Sequence, residues 1–144
     1  MKKILIVVAR FYNDLADELL KGATAELNKR KIEYEVVDVP GAFEIPAAIA
    51  FAIKGKKKYD GYVALGCVIR GETTHYDYVC GESARGLQEL AIRKRVAIGN
   101  GILTVENDEQ AWARAGTKKK NKGKAAAIAC LQMIELKERF GLAK

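Results

Sequence analysis

The sequence predicts an α/β protein, a three-layer α/β/α sandwich around a four-stranded parallel sheet. Two observations carry this prediction. Short apolar runs rich in β-branched residues alternate with longer segments of helical periodicity, and polar or glycine-containing loops follow the apolar runs. Strands that alternate with helices form parallel sheets, because each helix supplies the crossover between two strands. The length of 144 residues suits one domain, which we expect over residues 1–144.

The first half of the chain supplies three strands and two helices. Residues 4–9 form a continuous apolar run, as expected of a strand buried on both faces of a sheet. Apolar residues then recur at every fourth position, which indicates an amphipathic helix. The second strand alternates apolar with acidic side chains, so we expect it nearer an edge of the sheet. The predicted elements are strands at residues 4–9, 32–39 and 61–67 and helices at 13–31 and 44–54.

The second half supplies the fourth strand and three helices. We predict a helix at about residues 78–92, a strand at 96–100, a short helix ending at Ala115 and a final helix ending near Arg139. The buried stripe of the final helix is expected to contain Ile128, Leu131 and either Ile134 or Met133. Four parallel strands in this order favour a small flavodoxin-like fold.

Composition excludes several classes of protein. No apolar run reaches the roughly 20 residues that a membrane-spanning helix needs. The first apolar run is shorter than the core of a secretory signal, so we expect a cytoplasmic protein. Three cysteines without a CxxC spacing favour neither a disulfide framework nor a zinc site. We expect Cys67 and Cys80 to be small packing residues rather than nucleophiles.

Ligands bind beyond the carboxyl ends of the strands in sheets of this kind. That rule selects the loops at residues 10–13, 39–44, 68–77 and 101–107. His75, the only histidine, lies in the third loop, and imidazole suits proton transfer near neutral pH. The alternative is that His75 is a surface histidine without a catalytic role.

Other side chains in these loops also admit two interpretations. Residues 71–74 precede a predicted helix, where backbone amides bind phosphate or where Thr73 or Thr74 caps the helix. Phe11, Tyr12 and Phe43 can stack on a flat heterocycle or pack within their loops. Glu44 can bind a ligand or interact with the helix dipole.

A basic segment follows the fourth strand. The net charge is +7, and residues 114–124 contain six of the 25 basic residues and no acidic one. A phosphate clamp with Arg114 as the fork-shaped donor, a nucleic-acid patch and a solvated loop all remain open. The segment contains no aromatic residue, which weakens the case for single-stranded nucleic acid.

Four segments together resemble the lumazine synthase (6,7-dimethyl-8-ribityllumazine synthase) family. They are ARFYN at residues 9–13, VPGAFEIP at 39–46, GCVIRGETTHYD at 66–77 and RAGTKKKNKG at 114–123. The resemblance runs in order from about Lys3 to Phe140. Four motifs at matching positions are far more specific than any one of them.

The resemblance implies the penultimate step of riboflavin biosynthesis. This reaction condenses 5-amino-6-(D-ribitylamino)uracil with 3,4-dihydroxy-2-butanone 4-phosphate and gives the lumazine, phosphate and water. The resemblance implies no metal or organic cofactor, and no nucleic-acid or membrane partner.

The resemblance also assigns roles to residues. Phe11 would stack on the pyrimidine, and Phe43 and Glu44 would hold the ring and ribityl chain. His75 would be catalytic and shuttle protons. Backbone amides near Glu72 and Thr73, together with Arg114, would bind the phosphate, and Lys122, followed by Lys118, would add positive charge nearby. The implied substrate-binding residues are Phe11, Ala42, Phe43, Glu44, Cys67, Val68, Ile69, Glu72, Thr73, Asn100, Arg114 and Lys122.

Family members build each site between adjacent subunits of a homopentamer. The resemblance implies that Asn100, Arg114 and Lys122 complete the site of a neighbouring chain. The first strand begins almost at Met1, whereas many members have a longer amino-terminal arm, and this favours a free pentamer. Asn100 stands where some members have an aromatic residue.

Two other functions remain at this point. One is a flavodoxin-like module that binds flavin or another phosphorylated ligand without chemistry. The other is a basic nucleic-acid binder that uses residues 114–124.

Overall fold

The strands form one parallel sheet. The computed structural model describes residues 2–142. Over that range the strands are β1 (Lys3–Ala9), β2 (Glu33–Val39), β3 (Gly61–Ile69) and β4 (Ala97–Val105). Their spatial order is β2-β1-β3-β4, and every pair is parallel. This order confirms the predicted four-stranded parallel sheet, and β2 lies at an edge as expected.

Helices cover both faces of the sheet, which gives the predicted α/β/α sandwich. They are α1 (Asn13–Lys29), α2 (Ile45–Lys54), α3 (His75–Lys94), α4 (Asp108–Ala115) and α5 (Lys122–Arg139), with a short 3₁₀ turn at Ala42–Glu44 before α2. Residues of α1, α4 and α5 share one core cluster, and residues of α2 and α3 share the other. Within residues 2–142, no helix combines the length and apolar character that crossing a membrane requires.

The strand β1 shows why a continuous apolar run is required. Ile4, Ile6 and Val8 belong to the core cluster beneath α1 and α5, whereas Leu5 and Val7 belong to the cluster beneath α2 and α3. Successive side chains of a strand point to opposite faces. Both faces of β1 are therefore buried, and no position in the middle of the strand accepts a polar side chain.

The fourth strand is longer than predicted. We expected it to end at Asn100, but β4 continues to Val105 because it pairs with β3 in register from Gly61–Ala97 to Ile69–Val105. The predicted loop at residues 101–107 is therefore wrong. The connection to α4 consists of Glu106 and Asn107.

Two helices also differ from their predicted details. Helix α3 begins at His75 rather than near residue 78. In α5, Leu131 and Ile134 are buried as expected, but Ile128 is half-buried and Met133 is exposed. Small residues dominate the buried stripe of α5 because this helix lies very close to β4. A Cβ added to Gly99 of β4 would be 1.9 Å from the Ala126 carbonyl oxygen. The helix therefore approaches the sheet too closely for a row of large side chains.

Glu35 joins the edge strand β2 to the rest of the sheet. Its carboxylate accepts hydrogen bonds from Lys57 Nζ at 2.6 Å and from the Tyr59 hydroxyl at 2.6 Å, and Lys3 Nζ lies at 2.9 Å. These three partners lower the pKa of Glu35 from an ordinary 4.5 to about 2. The folded protein thus favours the ionised carboxylate.

Replacing Glu35 by glutamine is expected to lower the thermal unfolding midpoint near neutral pH and to change it little near pH 2. Because its pKa is lowered on folding, the carboxylate stabilises the fold above about pH 4.5, and this contribution is lost as the pH falls towards about 2. Circular dichroism melts across this range measure the effect. Glu33→Gln on the same strand is the charge-matched control, and equal shifts for both variants would contradict the prediction.

Candidate active site at the carboxyl edge of the sheet

A crevice opens at the carboxyl edge of the sheet, formed by the ends of β1, β2 and β3 and the first turns of α3. Its volume is about 460 Å³, within the range of small-molecule sites. Nine predicted site residues line it: Phe11, Ala42, Phe43, Glu44, Cys67, Val68, Ile69, Thr73 and His75. The parallel strands bring these residues together from the carboxyl ends of three strands and the segments that follow them.

Two aromatic rings line the crevice and remain open to solvent. Phe11 is 73% exposed and Phe43 is 53% exposed. The rings of Phe11 and Tyr12 pack edge-to-face with centroids 4.9 Å apart, and most of the Phe11 side chain remains exposed. Exposed aromatic faces beside a concave site are suited to stacking on a flat ligand.

The loop that carries Phe11 is held by Arg10. The guanidinium donates from Nε to Asp38 Oδ1 at 3.1 Å and pairs through Nη1 with Asp17. The backbone N–H of Arg10 also donates to the Val39 carbonyl at 2.9 Å. These contacts join the ends of β1 and β2 to α1, so Phe11 projects from a fixed backbone.

His75 is the first residue of α3, and its side chain lies at the crevice. Its backbone N–H donates to Thr73 Oγ1 at 3.3 Å. Thr74 occupies the N-cap position, but its side chain makes no capping hydrogen bond. Amides at the start of a helix attract anions through the helix dipole. The imidazole is therefore placed beside a backbone segment suited to negative charge.

Cys67 contributes a neutral thiol to the crevice. Its exposure is only 7%, and burial raises the pKa of the thiol to about 12. A thiol needs to ionise to act as a nucleophile, so Cys67 is suited to packing. Among residues 2–142, no group of three or more His, Cys, Asp and Glu side chains is arranged to hold a metal ion.

Four predicted site residues do not line this crevice. Glu72 is exposed in the loop between Gly71 and Thr73, which do line it. The other three lie on other elements. Asn100 lies in the middle of β4, Arg114 lies on α4 and Lys122 begins α5.

The basic segment that contains Arg114 and Lys122 is well ordered. Glu18 of α1 accepts hydrogen bonds from the Thr117 backbone N–H at 2.8 Å and from the Thr117 hydroxyl at 3.0 Å, and these bonds lower the pKa of Glu18. Asn121 caps α5 through the Lys124 N–H. The cationic side chains therefore extend from a fixed backbone.

Six residues outside the implied catalytic and substrate-binding sets also line the crevice: Tyr12, Pro40, Gly41, Gly71, Tyr76 and Val79. Five of them lie in the predicted ligand-binding loops, and Val79 lies beyond these loops. The signal for two of them was the start of α3: a helix beginning at His75 places Tyr76 and Val79 on its first turns, with Val79 one turn beyond His75. Placing the helix start near residue 78 concealed this relation.

The fold and the crevice define a flavodoxin-like α/β/α protein with a cavity of small-molecule size at the carboxyl edge of its sheet. The family model for 6,7-dimethyl-8-ribityllumazine synthase matches residues 1–138. The 6,7-dimethyl-8-ribityllumazine synthase of Bartonella tribocorum is 62% identical over 138 residues, covering 96% of this chain and 91% of the relative. The relative from Rhizobium meliloti, 6,7-dimethyl-8-ribityllumazine synthase 1, is 59% identical over 145 residues, covering 98% and 95%. The chain belongs to the 6,7-dimethyl-8-ribityllumazine synthase family, which confirms the resemblance.

Proposed function

We propose that this chain catalyses the formation of 6,7-dimethyl-8-ribityllumazine in riboflavin biosynthesis. The reaction condenses 5-amino-6-(D-ribitylamino)uracil with 3,4-dihydroxy-2-butanone 4-phosphate and releases phosphate and water. The observation that carries the proposal is the family match along residues 1–138. The crevice supports it, because the loops of three strands converge on a cavity of suitable size.

The pyrimidine substrate suits the aromatic side of the crevice. We assign stacking of its ring to Phe11 and assign the ring and ribityl contacts to Phe43 and Glu44. All three residues line the same cavity. Placing two substrates side by side can lower a barrier by up to about 7–11 kcal/mol, so positioning alone supplies much of the catalysis.

The phosphorylated ketone suits the start of α3. Backbone amides near Glu72 and Thr73 would donate hydrogen bonds to the phosphate, and His75 would transfer protons during imine formation and phosphate elimination. These are acid–base steps, so the proposal includes no metal or organic cofactor. Arg114 would stabilise the charge of the leaving phosphate, as preorganised donors do for a developing anion.

Arg114 and Lys122 lie outside the crevice of their own chain, so we propose that they act in the site of a neighbouring subunit. A homopentamer with sites between adjacent subunits meets this requirement, and Asn100 on the edge strand β4 would lie at the same boundary. The exposed large apolar residues Tyr78 and Ile92 on α3 support an association of this kind. Light scattering on the purified protein measures the subunit number.

We also propose a cytoplasmic location. Cys67, Cys80 and Cys130 are all free thiols, and two of them are buried. Unpaired cysteines are usual in a reducing compartment. Fractionation of cells that produce the protein tests the location.

Mixing the purified protein with the two substrates tests the proposed activity. Lumazine fluorescence is expected to appear in proportion to enzyme concentration. A binding module would bind the pyrimidine without product formation. A nucleic-acid binder would instead give a salt-dependent mobility shift with an oligonucleotide.

Replacing His75 by alanine is expected to lower kcat by about 100-fold without abolishing turnover. A positioned general acid–base contributes about 10²–10⁴-fold, whereas substrate positioning does not depend on the imidazole. Steady-state kinetics with each substrate varied in turn measures the effect, and the KM for the pyrimidine should change little. An unchanged kcat would remove His75 from the chemistry.

A further inference from the structure

Arg70 connects three parts of the molecule at one corner of the crevice. It directly follows β3, and its backbone N–H donates to the carbonyl of Val105, the last residue of β4, at 2.9 Å. Its Nε donates to Glu106 Oε2 at 2.5 Å, and its Nη1 lies 3.5 Å from Asp77 Oδ1. The side chain thus bridges the end of the sheet and the first turn of α3.

The guanidinium also lies over an aromatic ring that lines the crevice. Its central carbon is 4.3 Å from the centroid of the Tyr76 ring. A planar guanidinium can stack its face on a ring while the N–H groups along its edge donate to carboxylates, a geometry that a tetrahedral ammonium group lacks. Tyr76 and Asp77, the two residues after His75, are therefore both held by Arg70.

Glu106, the anchor of this arrangement, is itself fixed. Its backbone N–H donates to Gln110 Oε1 at 2.8 Å, and Asn107 caps α4 by accepting from the Gln110 N–H at 2.8 Å. By contrast, the loop at residues 71–74 that leads into α3 is exposed. The Arg70 contacts therefore tie the start of α3 to a rigid end of the sheet.

We propose that Arg70 is a positioning residue, which holds the first turn of α3 so that the His75 imidazole keeps a productive orientation in the crevice. The proposal rests on the role of His75 in the proposed function. Arg70 is about 43% exposed, and exposed ion pairs contribute little to stability. We therefore expect Arg70 to affect the position of the His75 imidazole more than the stability of the fold. A displacement of about 1 Å can lower the rate of a reaction about 100-fold.

The kinetic test uses a double-mutant cycle. Arg70→Ala is expected to lower kcat about tenfold with KM values nearly unchanged, and Arg70→Lys should restore only part of the loss because lysine keeps one ion pair but not the stacked fork. In the His75→Ala background, Arg70→Ala should have no further effect, because the residue acts through the imidazole. An equal loss in both backgrounds would overturn the proposal.

A second readout does not depend on activity. His75 is the only histidine, so selective labelling gives one imidazole signal in nuclear magnetic resonance spectra. Arg70→Ala is expected to shift or broaden that signal. Arg93→Ala is the matched control, because its ion pair with Glu89 lies near the other end of α3. An unmoved signal in Arg70→Ala would overturn the proposal, whereas absent lumazine formation by the parent protein would overturn only the proposed function.

Discussion

Replacing Gly123 by alanine is expected to lower the free energy of unfolding by about 3 kcal/mol, the upper part of the range for an overpacked contact. A Cβ at this position would lie 2.0 Å from the Leu19 carbonyl oxygen and 2.9 Å from the carbon that bears it. Both atoms belong to the backbone of α1, so relief requires α1 and α5 to separate. Alanine favours a helix over glycine by only about 0.5–1 kcal/mol, which does not offset the clash.

The same substitution at Gly81 provides the matched control. Gly81 lies on α3, and a Cβ there would meet no atom within 4 Å in the described part of the chain. Gly81→Ala should therefore raise the free energy of unfolding by about 0.5–1 kcal/mol. Urea unfolding of both variants at one protein concentration measures the difference, because assembly makes stability depend on concentration. Equal stability of Gly123→Ala and the parent would contradict the close approach of α1 and α5.

The Gly123 contact also has a functional consequence. Lys122 precedes Gly123 at the start of α5, and Asn121 lies against α1, where a Cβ on Gly22 would be 2.2 Å from Asn121 Oδ1. Displacing α5 would therefore move the basic segment as well. The glycines keep this segment in place by permitting two helices to touch through their backbones.

The sequence predicted the fold well wherever burial determined the pattern. Residues 4–9 are apolar at each position because both faces of β1 are covered, and that requirement is visible in the sequence itself. Prediction failed at β4, where Gly99 and Asn100 look like the end of a strand. Pairing with β3 over nine residues outweighs that local signal. Gly99 is required because α5 approaches the strand too closely for a side chain at this position. Neither cause is local in sequence.

The candidate site was likewise predictable only in part. The rule that ligands bind at the carboxyl ends of parallel strands selected the loops that contain Phe11, Phe43 and His75, and the structure brings all three to one crevice. Arg114 is different, because in the proposed shared site its position relative to the crevice depends on a second chain. The basic segment itself suggested a phosphate clamp with Arg114, but only the family resemblance indicated a role in the site of a neighbouring chain.

Replacing Arg114 by alanine is expected to lower kcat/KM for the phosphorylated ketone by about 10²–10³-fold, the usual cost of removing one preorganised donor to a developing anion. The guanidinium is held on α4 by a hydrogen bond from Nη1 to the Gln110 carbonyl at 3.0 Å. It forms no ion pair with a carboxylate in residues 2–142, so its charge is available to the phosphate. The KM for the pyrimidine should change little. An equal rise in KM for both substrates would contradict this assignment, because only the ketone carries the phosphate.

Mixing the two impaired chains tests whether the site is shared. In co-refolded His75→Ala and Arg114→Ala chains, a boundary between unlike subunits can combine an intact imidazole with an intact guanidinium. Random assembly of equal amounts should restore about a quarter of the parent activity, since each site draws its two residues from different chains of a symmetric ring. Each variant refolded alone gives the baseline. If one chain supplied both groups, every site would lack one of them, and the mixture would remain at that baseline.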